Sequence, residues 1–240
     1  MKPLEFKDTD KILVIAPHAD DESLGCGGLL LKYGKQCEVV VLTDGSKCGY
    51  PDEKEIINIR LQELAKAMSY ARVKNYTNLM IEDQKVKRNL DRLAGLSLNK
   101  YDYVFVPNMY ENHPDHSCIY KEICKLLRFS LNTKIVSYEV WTPLINPNVY
   151  LDISGDIERK AELISVYESQ LKNRDYTNKM IALNKYRGLA CYNDYSEVFS
   201  VTNTALRRFL DSFGIERNDK FLIIKAFGLK IKHRIAPKNK

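Results

Sequence analysis

The 240-residue sequence has no pair of cysteines at C-x-x-C spacing, no apolar run approaching the length of a membrane span, and only four histidines. Cys26, Cys37, Cys48, Cys118, Cys124 and Cys191 are scattered, so they are expected to be small buried or partly buried thiols, not a zinc module or a disulfide framework. Met1 to Asp10 is polar, and the first apolar run is too short for the core of a secretory signal. A cytoplasmic protein with reduced cysteines is therefore expected. The glycines also lack the spacing of a nucleotide fingerprint. Gly25, Gly27 and Gly28 do not form G-x-G-x-x-G, and the acidic residues before them would repel a pyrophosphate, so they are taken to permit close packing. No nucleic-acid recognition module is recognisable, and no nucleic-acid partner is expected.

Because histidine is scarce, its placement is informative. His18 lies in Ala16-Pro17-His18-Ala19-Asp20-Asp21-Glu22, directly after the apolar run Ile12-Leu13-Val14-Ile15. His113 and His116 lie in Asn112-His113-Pro114-Asp115-His116, after Tyr103-Val104-Phe105-Val106-Pro107. Asp20 or Asp21 alone could be a helix N-cap, with Glu22 favoured by the helix dipole. Two strand-end loops that both gather histidine with aspartate are better explained by a metal site. Catalytic zinc takes three protein ligands and keeps a position for water, and His18, Asp21 and His116 supply the right donors. One zinc ion per chain, or another divalent metal, is expected. Asp20 is then free to act as general base, and His113 can face the other side of a substrate carbonyl.

Apolar runs at 12–16, 39–42, 103–107 and 135–141 alternate with helix-period segments at 23–33, 53–71, 86–98 and 117–129. That order predicts βαβ units and a mostly parallel sheet in a single α/β domain. The net charge of +6 is matched by Lys225, Lys230, Lys232, Arg234, Lys238 and Lys240 in a terminal segment without acids, interleaved with large apolar residues. That acid-free segment, residues 225–240, ends a basic extension, residues 205–240 after a domain of 1–204, which is expected either to pack on the domain or to touch an anionic membrane surface peripherally.

The segment Pro17-His18-Ala19-Asp20-Asp21-Glu22-Ser23-Leu24-Gly25-Cys26-Gly27-Gly28, with His113-Pro114-Asp115-His116, resembles the PIG-L/LmbE-like deacetylases, zinc-dependent hydrolases of N-acylated sugars. Arg60-Leu61-Gln62-Glu63 with Ala67, Tyr167-Glu168-Ser169-Gln170, Arg187-Gly188 and Tyr195-Ser196-Glu197-Val198-Phe199 extend the likeness over residues 10–200. Ala19, where most members carry proline, and Ser196, where many carry alanine, depart from it without touching a ligand position. The resemblance implies a Rossmann-like three-layer sandwich. It also implies removal of an acyl group, usually acetyl, from an N-acylated amino sugar that is free, nucleotide-linked or lipid-linked. An amidase acting on a non-sugar or thiol-conjugate amide would need the same residues and stays open. In this picture Asp115 orients an imidazole, or caps the helix before His116, while Arg60 and Asp83 reach sugar hydroxyls.

Overall fold

Strand β2 (Ile12–Ala16) is buried at all five positions, as a strand covered on both faces must be. In this computed structural model, residues 1–172 and 174–202 are described with their side chains, and 203, 213–217, 221–226 and 229–234 by their backbone. β2 pairs in parallel with β3 (Cys37–Thr43) and β5 (Tyr103–Pro107), and β4 (Asn75–Ile81) and β6 (Lys134–Tyr138) extend the sheet outward, also in parallel. β8 (Ser196–Asn203) then runs antiparallel to β6, and β7 (Val149–Asp152) antiparallel to β8, with β1 (Lys2–Pro3) at the edge. The resulting order of the eight-stranded sheet is β1-β7-β8-β6-β5-β2-β3-β4. The expected mostly parallel sheet is what forms.

Side chains alternate across this sheet and so divide the core. Ile12, Val14 and Ala16 pack with Cys26 and Leu29 of α1 (Asp21–Tyr33), Leu64 and Met68 of α2 (Glu53–Tyr70) and Leu163 of α5 (Ile157–Ser165). Leu13 and Ile15 point the other way, against Leu93 of α3 (Asp91–Ala94) and Ile119 and Ile123 of α4 (Pro114–Leu126). Helices α6 (Glu168–Leu171) and α7 (Tyr176–Leu189) complete the α1 side. Strand order reverses between β2 and β5, so the loops after these two strands open into the crevice where such sheets bind ligands.

Gly25 is required by packing: a Cβ there would lie 2.2 Å from the Tyr138 ring. Helix α1 kinks at Cys26 (φ −131°). Past the kink, the Gly28 and Leu29 N–H groups donate to the Glu197 carboxylate at 2.7 and 3.0 Å, and the same carboxylate holds the buried Lys160 ammonium. The glycines and the Glu197 segment thus fix α1 against β8 and α5.

Two expectations change. The helix predicted over 86–98 is broken into a 3₁₀ turn at Val86–Arg88, the one-turn α3 and another 3₁₀ turn at Leu98–Lys100. Asn89 Nδ2 donates to the Lys85 carbonyl, a local bond that competes with a helical ladder. The strand predicted over 135–141 stops at Tyr138 because the buried Glu111 carboxylate draws in the Val140, Trp141 and Thr142 N–H groups at 3.1 to 3.3 Å. The terminal segment contains strands β9 (Phe213–Arg217), β10 (Phe221–Ala226) and β11 (Leu229–Arg234) in a separate antiparallel sheet. In its register Lys225 opposes Lys230 and Ile223 opposes Lys232, whereas Ile224 opposes both Ile231 and Ile215. The basic and apolar residues therefore alternate with the period of a strand; the expected boundary at 204 and the residues 235–240 lie outside the described residues. Among the described residues no helix is long and apolar enough to cross a membrane.

Candidate active site

The loop after β2 is pinned by its own strand neighbour: the Pro17 carbonyl accepts from both the backbone N–H and the hydroxyl of Thr43. This fixes His18, whose Nδ1 lies 3.1 Å from Asp21 Oδ2 and 3.3 Å from His116 Nε2. His116 Nε2 is 3.2 Å from the same Asp21 oxygen. Three donor atoms thus form a nearly equilateral triangle. A tetrahedral zinc with bonds of about 2.0–2.1 Å places its ligand atoms about 3.3 Å apart, so the triangle fits a small divalent cation without movement. His18, Asp83 and Asp115 also bring one atom each within 4.8 Å of one another. That trio is the poorer site, because backbone N–H groups already occupy its carboxylates, from Lys47 on Asp83 and from Gln84 and Val86 on Asp115.

The surroundings orient the triangle's donors, while the carboxylates around His18 favour its protonated form, whose Nδ1 proton a metal would have to displace. His18 Nε2 donates to Asp83 Oδ1 at 3.1 Å and has Asp115 Oδ2 at 3.7 Å, which turns Nδ1 to the centre. Burial opposes charge on His18, but Asp115, Asp21 and Asp83 more than offset it and raise the imidazole well above its ordinary range. Asp21 resists burial in the same way: the His116 imidazole and the His18 hydrogen bond hold its carboxyl far below the usual carboxylate range. His116 Nδ1 has no hydrogen-bond partner among the described residues, with Glu111 Oε2 3.9 Å away.

One sequence expectation is corrected here. Asp115 does not cap α4; His113 does, its Nδ1 accepting from the Asp115 N–H at 3.3 Å. Asp83, expected to bind a sugar hydroxyl, lines the cavity and has His18 on one oxygen and the Lys47 N–H on the other.

Asp20 is no side-chain cap either. Its backbone sits at φ 150°, ψ −32°, a region costly for any residue with a Cβ and maintained only where the surroundings impose it. Glu22, fully buried, imposes it: Oε2 accepts the Asp20 N–H, while Oε1 accepts from the Ser23 and Tyr167 hydroxyls. The Asp20 carboxylate is thereby directed away from its own helix. Arg60, expected as a substrate contact, donates to the Ala19 carbonyl at 2.7 Å and reaches Asp20 Oδ1 at 3.3 Å. Burial raises the Asp20 carboxyl to about 7, with Arg60 opposing the rise and Asp21 adding to it. A carboxyl in that range can exchange a proton at neutral pH.

His18, Asp20, Asp21, Arg60 and Asp83 line a cavity of about 370 Å³ together with Leu24, Lys47, Cys48, Gln84, His113, Trp141, Ser169, Gln170, Arg174 and Tyr176. His113 is half-buried. Burial lowers its pKa, and the imidazoles of His18 and His116 lower it further. With Nδ1 accepting from Asp115, the neutral ring carries its proton on Nε2. Sequence reasoning gave no role to Glu63, which accepts from both the backbone N–H and the hydroxyl of Ser169 and so anchors the far wall. Trp141, whose ring lies 6.4 Å from that of His113, reads in sequence as the end of an apolar run, because the Glu111 carboxylate that accepts its N–H and turns it into a loop lies 30 residues away.

Residues 13–127, which contain both histidine loops, match the family model described as PIG-L, GlcNAc-PI de-N-acetylase. A diacetylchitobiose deacetylase from Thermococcus kodakarensis is 25% identical over 193 residues, covering 69% of this chain and 72% of that protein. The structure of N,N'-diacetylchitobiose deacetylase from Pyrococcus horikoshii matches with a TM-score of 0.73 at 24% identity, covering 84% of this chain and 87% of the other. GalB, the 4-carboxy-2-hydroxymuconate hydratase from Pseudomonas putida KT2440, shares the fold with a TM-score of 0.66 at 17% identity, covering 81% of this chain and 96% of the other. One architecture therefore carries different reactions, and the loops must decide which. The family model thus runs through both loops that build the triangle, and over residues 13–127 the chain is similar to the PIG-L family.

Proposed function

We propose that this chain is a metal-dependent N-deacetylase that removes an acyl group, acetyl in the first instance, from the amide nitrogen of an N-acylated amino sugar or its conjugate. The observation that carries the reading is the triangle of His18, Asp21 and His116 with the Asp20 carboxylate beside it. Bound in that triangle, a zinc ion lowers the pKa of a water molecule and polarises an amide carbonyl.

The chain's own residues supply the remaining chemistry. Asp20 accepts the proton from the attacking water as its oxygen bonds the carbonyl carbon. It then returns that proton to the nitrogen as the C–N bond breaks, so the amine leaves neutral. Arg60 holds the carboxylate in place and keeps enough of it ionised to act. His113 donates its Nε2 proton to the oxygen that gains negative charge, a contact that strengthens as the charge develops. Asp83 and Asp115 act through His18, fixing its tautomer and orientation. Residues 205–240 are a basic extension outside this chemistry.

Acetate release from N-acetylglucosamine and N,N'-diacetylchitobiose tests the reading, with simple acyl amides in parallel. Zinc-loaded protein is expected to release acetate from the sugars, and chelator-treated protein to lose that activity. Turnover of the acyl amides with none of any sugar would overturn the sugar reading in favour of a general amidase.

A further inference from the structure

The floor of the cavity is acidic, with Asp20, Asp21 and Asp83, and its wall contains three cations, Lys47, Arg60 and Arg174. Two of these are committed. Lys47 Nζ pairs with Glu53, and Arg60 with Asp20 and the Ala19 carbonyl. Arg174 differs: no carboxylate among the described residues pairs with it. Its guanidinium lies 4.9 Å from the centre of the Trp141 ring, and Tyr176 packs edge-on to the same ring at 5.8 Å. Stacking on an aromatic face restrains a guanidinium in one plane while leaving its edge donors available for a planar or tetrahedral oxyanion. Trp141 in turn is adjacent to His113, at a ring separation of 6.4 Å. The distance from the reacting amide at His113 to Arg174 is thus on the scale of one sugar ring and its substituent.

We propose that Arg174, held on Trp141, is an anion subsite, and that the preferred substrate is an N-acyl amino sugar carrying a phosphate or carboxylate on a ring substituent other than the amide. This rests on the deacetylase reading and narrows it. An oxyanion placed there replaces water on a restrained arginine, and such charge-assisted bonds change affinity by about 10- to 100-fold. Because Arg174 is exposed, the gain falls as salt screens it.

The test compares zinc-loaded wild type with Arg174→Gln and Arg174→Lys on N-acetylglucosamine, its 1-phosphate, its 6-phosphate and N-acetylmuramic acid. The readout is the ratio of kcat/KM for each charged sugar to that for the neutral one. The wild-type ratio is expected to exceed about 10 for at least one charged sugar and to decline with ionic strength. Arg174→Gln should bring it close to one, with Arg174→Lys between. The sugar that shows the effect distinguishes phosphate from carboxylate and fixes its position. A wild-type ratio near one for all three, with neutral sugar turned over, overturns the subsite and leaves the deacetylase reading standing. Binding measured by calorimetry in an Asp20→Asn background, with and without Arg174→Gln, reads the subsite independently of turnover. Equal affinities for charged and neutral sugars there would overturn it whatever the reaction.

Discussion

Arg60 and Asp20 are 40 residues apart in sequence, yet the Arg60 guanidinium lies 3.3 Å from the Asp20 carboxylate and also bonds the Ala19 carbonyl. One buried arginine therefore grips the Asp20 side chain and the backbone just before it. The grip has no slack on its far side, where Gly45 at φ +65° would bring a Cβ within 2.7 Å of Arg60 Nε. The proposed base is thus positioned by a helix outside the histidine loops.

Purified protein is expected to hold about one equivalent of zinc or another divalent metal, from the triangle's three donors. Metal analysis of His116→Ala should show most of it lost, since two remaining donors hold a cation weakly. Full occupancy in that variant would place the metal elsewhere.

Asp20→Asn keeps the shape and the contact with Arg60 but removes the proton acceptor. It should bind metal normally and turn over ~100-fold more slowly or worse. The wild-type rate should rise with pH through an acidic limb, because the ionised carboxylate is the active form. Burial sets that limb at about 7, and a cation in the triangle moves it lower. The Asn variant should lack it; an unchanged limb would assign it to another group.

The strained backbone at Asp20 predicts an unusual ranking. Glycine adopts φ 150° readily and alanine does not, so Asp20→Gly should unfold less easily than Asp20→Ala, by about 1 kcal/mol or more. Thermal or urea melts of the two inactive variants give the comparison. The reverse order would mean that the conformation imposes no strain.

His113→Ala should lower kcat and kcat/KM together by ~100-fold, the scale of one lost oxyanion donor, with KM little changed. The donor form of His113 is the neutral ring, and its lowered pKa keeps it neutral as pH rises through 7. The basic limb of the pH profile should therefore survive the substitution. Loss of that limb would show instead that His113 acts as a cation.

A cut after Ala226 would divide the hairpin in which Ala226 pairs with Leu229, so the terminal extension is best removed after Asn203. The shortened chain is expected to retain turnover of small soluble sugars. If the extension serves an anionic lipid surface, at ~1 kcal/mol per basic residue, full-length protein should bind anionic vesicles in a salt-sensitive way and the shortened chain should not. Indifference of the full chain to such vesicles at low salt removes that role. Unfolding of the shortened chain makes the extension part of the core.

Much of the site was legible because its chemistry is local. His18, Asp20 and Asp21 follow one apolar strand within five residues, and His113, Asp115 and His116 follow another. The donors carry the chemistry of a metal in their own side chains, and the strands that present them are uninterrupted apolar runs. The sheet class was legible for the same reason, since fully buried parallel strands and amphipathic helices leave periodic traces. The breaks in 86–98 left no such trace, because a single Asn89 side-chain bond and the carboxylate of Asp115, holding the Val86 N–H, compete there with a pattern that suits a helix.

What only the tertiary structure decided is which buried group faces which. Asp83 reads as a sugar contact until the β4 loop places it 3.1 Å from His18 Nε2. Arg60 also reads as a sugar contact, and Glu63 as nothing in particular, until α2 packs them against Asp20 and Ser169. Glu111 has no motif, yet it ends β6 and shapes the loop that delivers Trp141 to His113. These pairings join positions tens of residues apart, and their energies come from desolvated charges meeting at hydrogen-bond distance. A sequence records the charge, while the packing of helices on the sheet selects its partner.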